Sequence, residues 1–185
     1  MGIEDADIEI FVHLRRVLPR RNVSVFVLGN AFGYSTMILG MLFARPGHGF
    51  IDAIDAESEG DCKTAGSWLT KVVAAELSID LRLTKGYSPG DIPKSVRPSA
   101  LYDIAFIDGE HNVDQVLLDF QALEPYMAPK SVMVLHDVGF CSLHAGVARM
   151  SKAWQRHYAR GRAYKNLLGT MLLHRGFPKG FFDYF

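Results

Sequence analysis

The chain has 185 residues, 49% of them hydrophobic, with 20 basic and 20 acidic side chains and no net charge. That length and composition indicate one globular domain spanning 1–185 and exclude a disordered chain. No apolar run reaches the roughly 20 residues needed to cross a bilayer, and the acidic start Met1-Gly-Ile-Glu-Asp-Ala-Asp7 lacks the form of a secretion signal.

The first apolar positions, Ile8, Phe11, Val12, Leu14, Val17 and Leu18, recur at helical spacing, and Pro19 ends that helix. Residues 23–28 form an apolar run with Ser24 alone polar, as a buried parallel strand requires. A helix over 34–44 stops at Pro46-Gly47, and a second strand covers 50–55. A helix over 61–77 carries Trp68, Leu69, Val72, Val73 and Leu77 on or near one face. Residues 79–84 alternate as a strand, and Ser88-Pro-Gly-Asp-Ile-Pro93 reads as a loop. A strand over 100–107, a helix over 113–127, a strand over 131–135 and a helix over 142–158 follow. A late strand over 167–174 forms an arm of a hairpin from Arg162. The alternation predicts an α/β fold, a doubly wound and mostly parallel sheet with helices on both faces and a late antiparallel strand. The aromatic tail Phe181-Phe-Asp-Tyr-Phe185 should dock on its own core or on a partner, which suggests a homodimer contact.

Chemistry concentrates where strands end. In an open parallel sheet, ligands bind outside the carboxyl ends of the strands. Gly29-Asn-Ala-Phe-Gly33 follows the first strand and opens a helix, where glycine permits a tight turn and a close ligand approach. It matches neither G-x-G-x-x-G nor the phosphate-binding G-x-x-x-x-G-K-[ST]. Asp55 ends the second strand, where an acid suits ribose hydroxyls or caps the next helix. Asp108, His111, His136 and Asp137 fall at the ends of the next two strands. Asp108 and Asp137 have the spacing to share one divalent cation, Mg²⁺ or another. Alternation lets only one of His136 and Asp137 face a given site unless the chain turns there. His111 is placed to accept a proton from a hydroxyl.

The series Leu28-Gly-Asn-Ala-Phe-Gly-Tyr-Ser35, Asp55, Ile107-Asp-Gly-Glu-His111 and His136-Asp137 resembles class I S-adenosylmethionine-dependent O-methyltransferases. The branch is the one with Ile-Asp-Gly-x-His and His-Asp signatures, related to sugar and natural-product O-methyltransferases and distantly to catechol O-methyltransferase. The resemblance spans roughly residues 8–175. It implies a Rossmann-like fold and a small hydroxylated acceptor. It implies that Gly29, Asn30, Gly33 and Ser35 surround the methionine part of the cofactor, that Asp55 binds ribose, and that Tyr87 and Ser88 meet adenine. Asp108 lies at the cofactor as well, and with Asp137 it would hold the metal, His136 adjoining. His111 would be the general base. Val27 stands where the family often has an acid, and Val138 where the catechol enzymes have a metal-binding Asn.

A non-catalytic module binding S-adenosylmethionine or a nucleoside is the alternative, and Val27 favours it. A nicotinamide oxidoreductase lacks its third glycine here. Between Val138 and Phe182 the charged residues are all basic, with aromatics interleaved at Trp154, Tyr158 and Tyr164. That pattern suits an anionic partner or a solvated helix face, and zero net charge argues against nucleic acid. Cys62 and Cys141 make no disulfide framework, which points to a reducing cytoplasm.

Overall fold

The computed structural model describes residues 3–18, 22–57, 64–139, 159–164, 169–178 and 181–182. They form α1 (Asp5–Val17), β1 (Val23–Leu28), α2 (Tyr34–Phe43), β2 (Gly49–Asp55), α3 (Ala65–Glu76), β3 (Leu81–Lys85), α4 (Ile92–Ser95), β4 (Tyr102–Ile107), α5 (Val113–Leu123), β5 (Met127–Leu135), β6 (Ala159–Tyr164) and β7 (Thr170–Arg175). The strands make one seven-stranded sheet in the order β3-β2-β1-β4-β5-β7-β6. β1 to β5 run parallel, whereas β7 pairs antiparallel with both β5 and β6. The expected late strand is β7, and its hairpin partner β6 forms the edge of the sheet. The helix expected over 142–158, both cysteines and most of the basic segment lie outside the described residues. No helix among the described residues is long and apolar enough to cross a membrane.

Every residue of β1 is buried, because helices cover both faces. Val23, Val25 and Val27 face a core with Ile10, Phe11 and Leu14 of α1 and Leu39 and Phe43 of α2. Phe26 and Leu28 face the other core, with Ile92 of α4 and Val116, Phe120 and Leu123 of α5. Pro125 ends α5 in a short 3-10 turn over Glu124–Tyr126, so β5 starts earlier than its apolar run suggests. In the tail, Phe182 is fully buried in the α1 side of the core, with its ring centroid 4.8 Å from that of His174.

The apolar residues grouped on α3 do not all turn inward: Leu77 packs on the core and Val73 is half-buried, but small residues make up the fully buried face. Gly66, Ser67, Thr70 and Ala74 are buried, while Trp68, Leu69 and Val72 are exposed. The cause is proximity to the glycine loop. A Cβ on Gly66 would come within 2.0 Å of the Ala31 carbonyl oxygen, and one on Gly33 within 2.0 Å of Thr70 Oγ1. Only small side chains allow helix and loop backbone to approach this closely.

The parallel register aligns the strand tips. Leu28 pairs with Ile54 and with Ile107, and Ile107 pairs with Leu135. The residues just beyond that row are Gly29, Asp55, Asp108 and His136. Their backbones continue the ladder: Gly29 N–H donates to Ile54 O (3.0 Å), Asp108 N–H to Leu28 O (2.9 Å), and His136 N–H to Ile107 O (3.0 Å). Strand order reverses at β1 and β4, so a crevice opens there.

Candidate active site

A cleft of about 430 Å³ lies over this edge, lined by Leu28, Gly29, Ala31, Ile54, Asp55, Ala56, Gly86, Tyr87, Ser88, Asp108, Gly109, Glu110, His111 and Gln115. Its floor at β1 depends on Gly29, which has φ +91°. A Cβ there would sit 1.9 Å from the Asp108 carbonyl oxygen. Asp55 Oδ2 accepts the backbone N–H groups of Asn30 (2.7 Å) and Ala31 (2.8 Å), and Oδ1 accepts that of Glu57 (2.6 Å). Asp55 therefore braces the glycine loop as well as lining the cleft. A carboxylate offers about four lone-pair positions, so acceptor capacity remains for a ligand.

Asn30 and Ser35 are buried, and neither they nor Gly33 line the cleft. The Asn30 amide donates to Ala31 O (3.1 Å) and Thr70 Oγ1 (3.0 Å), which ties the loop to α3. These residues shape the loop from behind. Tyr87 is exposed on the opposite lip, its N–H bonded to Asp91 Oδ2 (2.9 Å). Ser88 meets Gln115, whose Nε2 donates to Ser88 O (3.0 Å) and to Asp119 Oδ1 (2.7 Å). Asn112 caps α5 by accepting the N–H groups of Asp114 and Gln115, which fixes where both His111 and Gln115 stand.

Asp119 is fully buried, and its Oδ2 has no hydrogen-bond partner among the described residues. Burial pushes its carboxyl up to about 6, and hydrogen bonding from Ser88 and then Gln115 offsets only part of this. A raised carboxyl pKa means the folded state holds the proton more tightly. Stability therefore falls as pH rises from near 4 through about 6. Asp119→Asn should be more stable than wild type at pH 7.5, by about 1–3 kcal/mol, and the difference should vanish near pH 4. Urea unfolding at the two pH values reads this directly.

At the β5 end of the cleft the ionisable groups converge. Asp137 has φ +54°, so the chain turns as β5 ends and both His136 and Asp137 reach Asp108. His136 Nδ1 lies 3.2 Å from Asp108 Oδ1 and 3.1 Å from Asp137 Oδ1. Its Nε2 lies 3.1 Å from Asp7 Oδ2, on α1. Asp7 is fully buried and also accepts from Thr170 Oγ1 (2.7 Å) and from Glu4 N–H (3.0 Å). Burial alone would lower the His136 pKa, but three carboxylates push it up to about 12. Hydrogen bonding to His136 helps hold Asp7 and Asp108 below the usual carboxylate range against their burial.

This arrangement corrects the expectation for His136. With both ring nitrogens turned to carboxylates, it is an imidazolium that neutralises them, and it has no lone pair for a metal. The set that offers metal-ligating atoms is Asp108, His111 and Asp137, whose atoms all lie within 4.8 Å of one another. Oxygen ligands on opposite sides of one cation stand about 4–5 Å apart, so the two carboxylates and the imidazole fit a hard divalent ion. His111 is about one-third exposed, with Nε2 3.0 Å from Asp137 Oδ2 and 3.6 Å from Asp108 Oδ1. Its pKa is raised, chiefly by the hydrogen bond to Asp108 and then by the Asp137 charge, with burial opposing. Asp7, Thr170, Gln115 and Asp119 were not among the sequence candidates. Only the helix-start position of Asp7 and the i, i+4 spacing of Gln115 and Asp119 gave any signal.

A sheet of this order, with a crevice at the β1/β4 reversal, defines a Rossmann-like methyltransferase fold. A family profile describing a methyltransferase domain matches residues 26–138, more than half of the chain, and the chain belongs to that family. Among solved structures it is similar to TomG, the O-methyltransferase from Streptomyces achromogenes involved in tomaymycin synthesis, in complex with SAM. The identity is 18% and the TM-score 0.70, over 94% of this chain and 81% of TomG. It is similar to the O-methyltransferase from Bacillus cereus in complex with SAH, at 13% identity and TM-score 0.72, over 94% of this chain and 82% of that one. Cofactor-bound Rv0187 from MTB gives 14% identity and TM-score 0.72, over 94% and 81%. Likeness at this identity concerns the fold. Among curated proteins, no sequence matches the chain significantly.

Proposed function

We propose that this chain transfers the methyl group of S-adenosylmethionine to a hydroxyl of a small molecule such as a sugar or natural product. The observation that carries the reading is the cleft across the β1/β4 tips with His111 at its rim, in contact with Asp108 and Asp137. Gly29 lets the ligand approach the backbone, and Asp55 accepts from ribose hydroxyls with its remaining lone pairs. Tyr87 and Ser88 flank the base. Gly33, Asn30 and Ser35 hold the loop that receives the methionine part.

The hydroxyl sits near His111, whose Nε2 takes its proton. The oxygen lone pair then forms the bond to the methyl carbon, and the electrons of the breaking S–C bond stay on sulfur, leaving S-adenosylhomocysteine. Asp108 and Asp137 hold the resulting imidazolium in place and stabilise its charge. Asp108 and Asp137 are the residues that would hold Mg²⁺ or another divalent ion, while His111 keeps its Nε2 for the proton. When bound, the ion supplies Lewis acidity that lowers the pKa of an acceptor hydroxyl.

The test is calorimetric titration with S-adenosylmethionine and S-adenosylhomocysteine, with and without Mg²⁺, and with NADH as control. Micromolar binding of the first two and none of NADH is expected. Absence of binding under both conditions sinks the reading. Once an acceptor is found, His111→Ala should lower turnover by at least about 100-fold while cofactor affinity stays within about twofold. A base acts when neutral, so wild-type turnover should climb with pH above 6.5, through the raised His111 pKa. Tight cofactor binding with no transfer to any hydroxylated acceptor would instead favour a non-catalytic binding module.

A further inference from the structure

The two ends of the cleft differ in chemistry. The end near β5 is charged. Towards β3 the lining is Ile54, Asp55, Gly86, the Tyr87 ring, Ser88 and one amide, that of Gln115. The orientation of that amide is fixed. Its nitrogen has two hydrogens and faces acceptors, the Ser88 carbonyl at 3.0 Å and Asp119 Oδ1 at 2.7 Å, with Ser88 Oγ at 3.3 Å. A flipped amide would set Oε1 against a carbonyl and a carboxyl oxygen, acceptor against acceptor. Gln115 therefore offers Oε1, and only Oε1, to a ligand.

We propose that Gln115, held in orientation by Asp119, makes the cleft selective for a purine bearing a 6-amino group over one bearing a 6-oxo group. The proposal rests on the S-adenosylmethionine reading above and names the residue pair that would enforce it. An exocyclic amine donates to Oε1. A 6-oxo group places a second acceptor there and leaves both without a donor, the less favourable pairing. Asp119 is a positioning residue, since it touches Gln115 and does not line the cleft. Its burial beneath Gly109 serves that purpose: a Cβ on Gly109 would lie 3.2 Å from Asp119 Oδ2, so a larger residue there would crowd the carboxyl.

The experiment is calorimetric titration of the full chain with S-adenosylhomocysteine and S-inosylhomocysteine, which differ at the 6-position. Wild type should bind the adenosyl compound at least about tenfold more tightly. Gln115→Met, close in volume, should weaken the adenosyl compound by about five- to tenfold and bring the ratio near one. Asp119→Asn can donate as well as accept, so it should narrow the ratio even though it stabilises the fold at neutral pH. A purely structural role for Asp119 would leave the ratio unchanged. Equal wild-type affinities overturn the proposal and leave the methyltransferase reading standing, as does a ratio that survives Gln115→Met. No binding of either compound overturns both. The wild-type comparison stands even if a variant fails to fold.

Discussion

Replacing His136 by asparagine should lower the unfolding free energy by about 3–5 kcal/mol at pH 6, the usual cost of stripping the partner from a buried charge. The charges around His136 are mostly buried, with Asp108 opening on the cleft. His136 and Asp137 have side chains 2% exposed and Asp7 is fully enclosed. Without the imidazolium, three carboxylates face one another, and among the described residues His111 is the cation that remains beside them. The effect has a definite pH dependence. The folded pKa of His136 is raised from 6.5 to about 12. Its contribution is therefore fully present below 6.5 and decays as pH rises towards 12. The gap between wild type and His136→Asn should narrow accordingly. Urea unfolding at pH 6 and pH 9 measures it, and a gap that widens with pH would falsify the assignment of His136 as the buried cation.

Gly29→Ala should be the most damaging single-methyl change in the cleft. Two independent penalties meet at this position. The backbone is left-handed at φ +91°, and the added carbon lands 1.9 Å from the Asp108 carbonyl oxygen, which is backbone and cannot rotate away. The tips of β1 and β4 must separate to admit it. A loss of about 3 kcal/mol or more is expected, together with at least about tenfold weaker S-adenosylhomocysteine binding. Gly47→Ala is the control. Gly47 has φ +78°, but nothing lies within 4 Å of the added carbon. Only the backbone penalty of about 1 kcal/mol should remain, with cofactor affinity unchanged. Unfolding midpoints and one titration per variant separate the two cases.

Much of the framework was legible because the inner parallel strands, buried on both faces, are mostly apolar runs, broken only by single residues such as Ser24, Asp52 and Asp103. Residues 23–28 read as a strand from composition alone and are β1. The tips were legible for the same reason, since the polar residue ending each run is the first that the sheet does not cover. What escaped depends on contacts remote in sequence. Asp7 looks like an ordinary first-turn acid of a helix, favoured by the helix dipole. Its burial against His136 follows only from where α1 docks. Counting apolar residues on α3 grouped Trp68 and Leu69 with Val73 and Leu77 on or near one face, because nothing local shows that a glycine loop needs the helix closer than a large side chain permits. The role of His136 turned on one backbone angle, the left-handed φ of Asp137, which alternation along a strand cannot anticipate.

The bonds that Asp7 makes also set an order of events during synthesis. It reaches His136 across 129 residues and Thr170 across 163. Among the described residues, the cleft lining, by contrast, comes from 28–115. Chains fold progressively as they emerge, and contacts of long sequence separation form late. A ribosome-bound chain can thus shape its ligand crevice while Asp7 still waits for its partners. The charged centre closes only when the last strands have joined the sheet, so the reacting end of the crevice matures after the binding end.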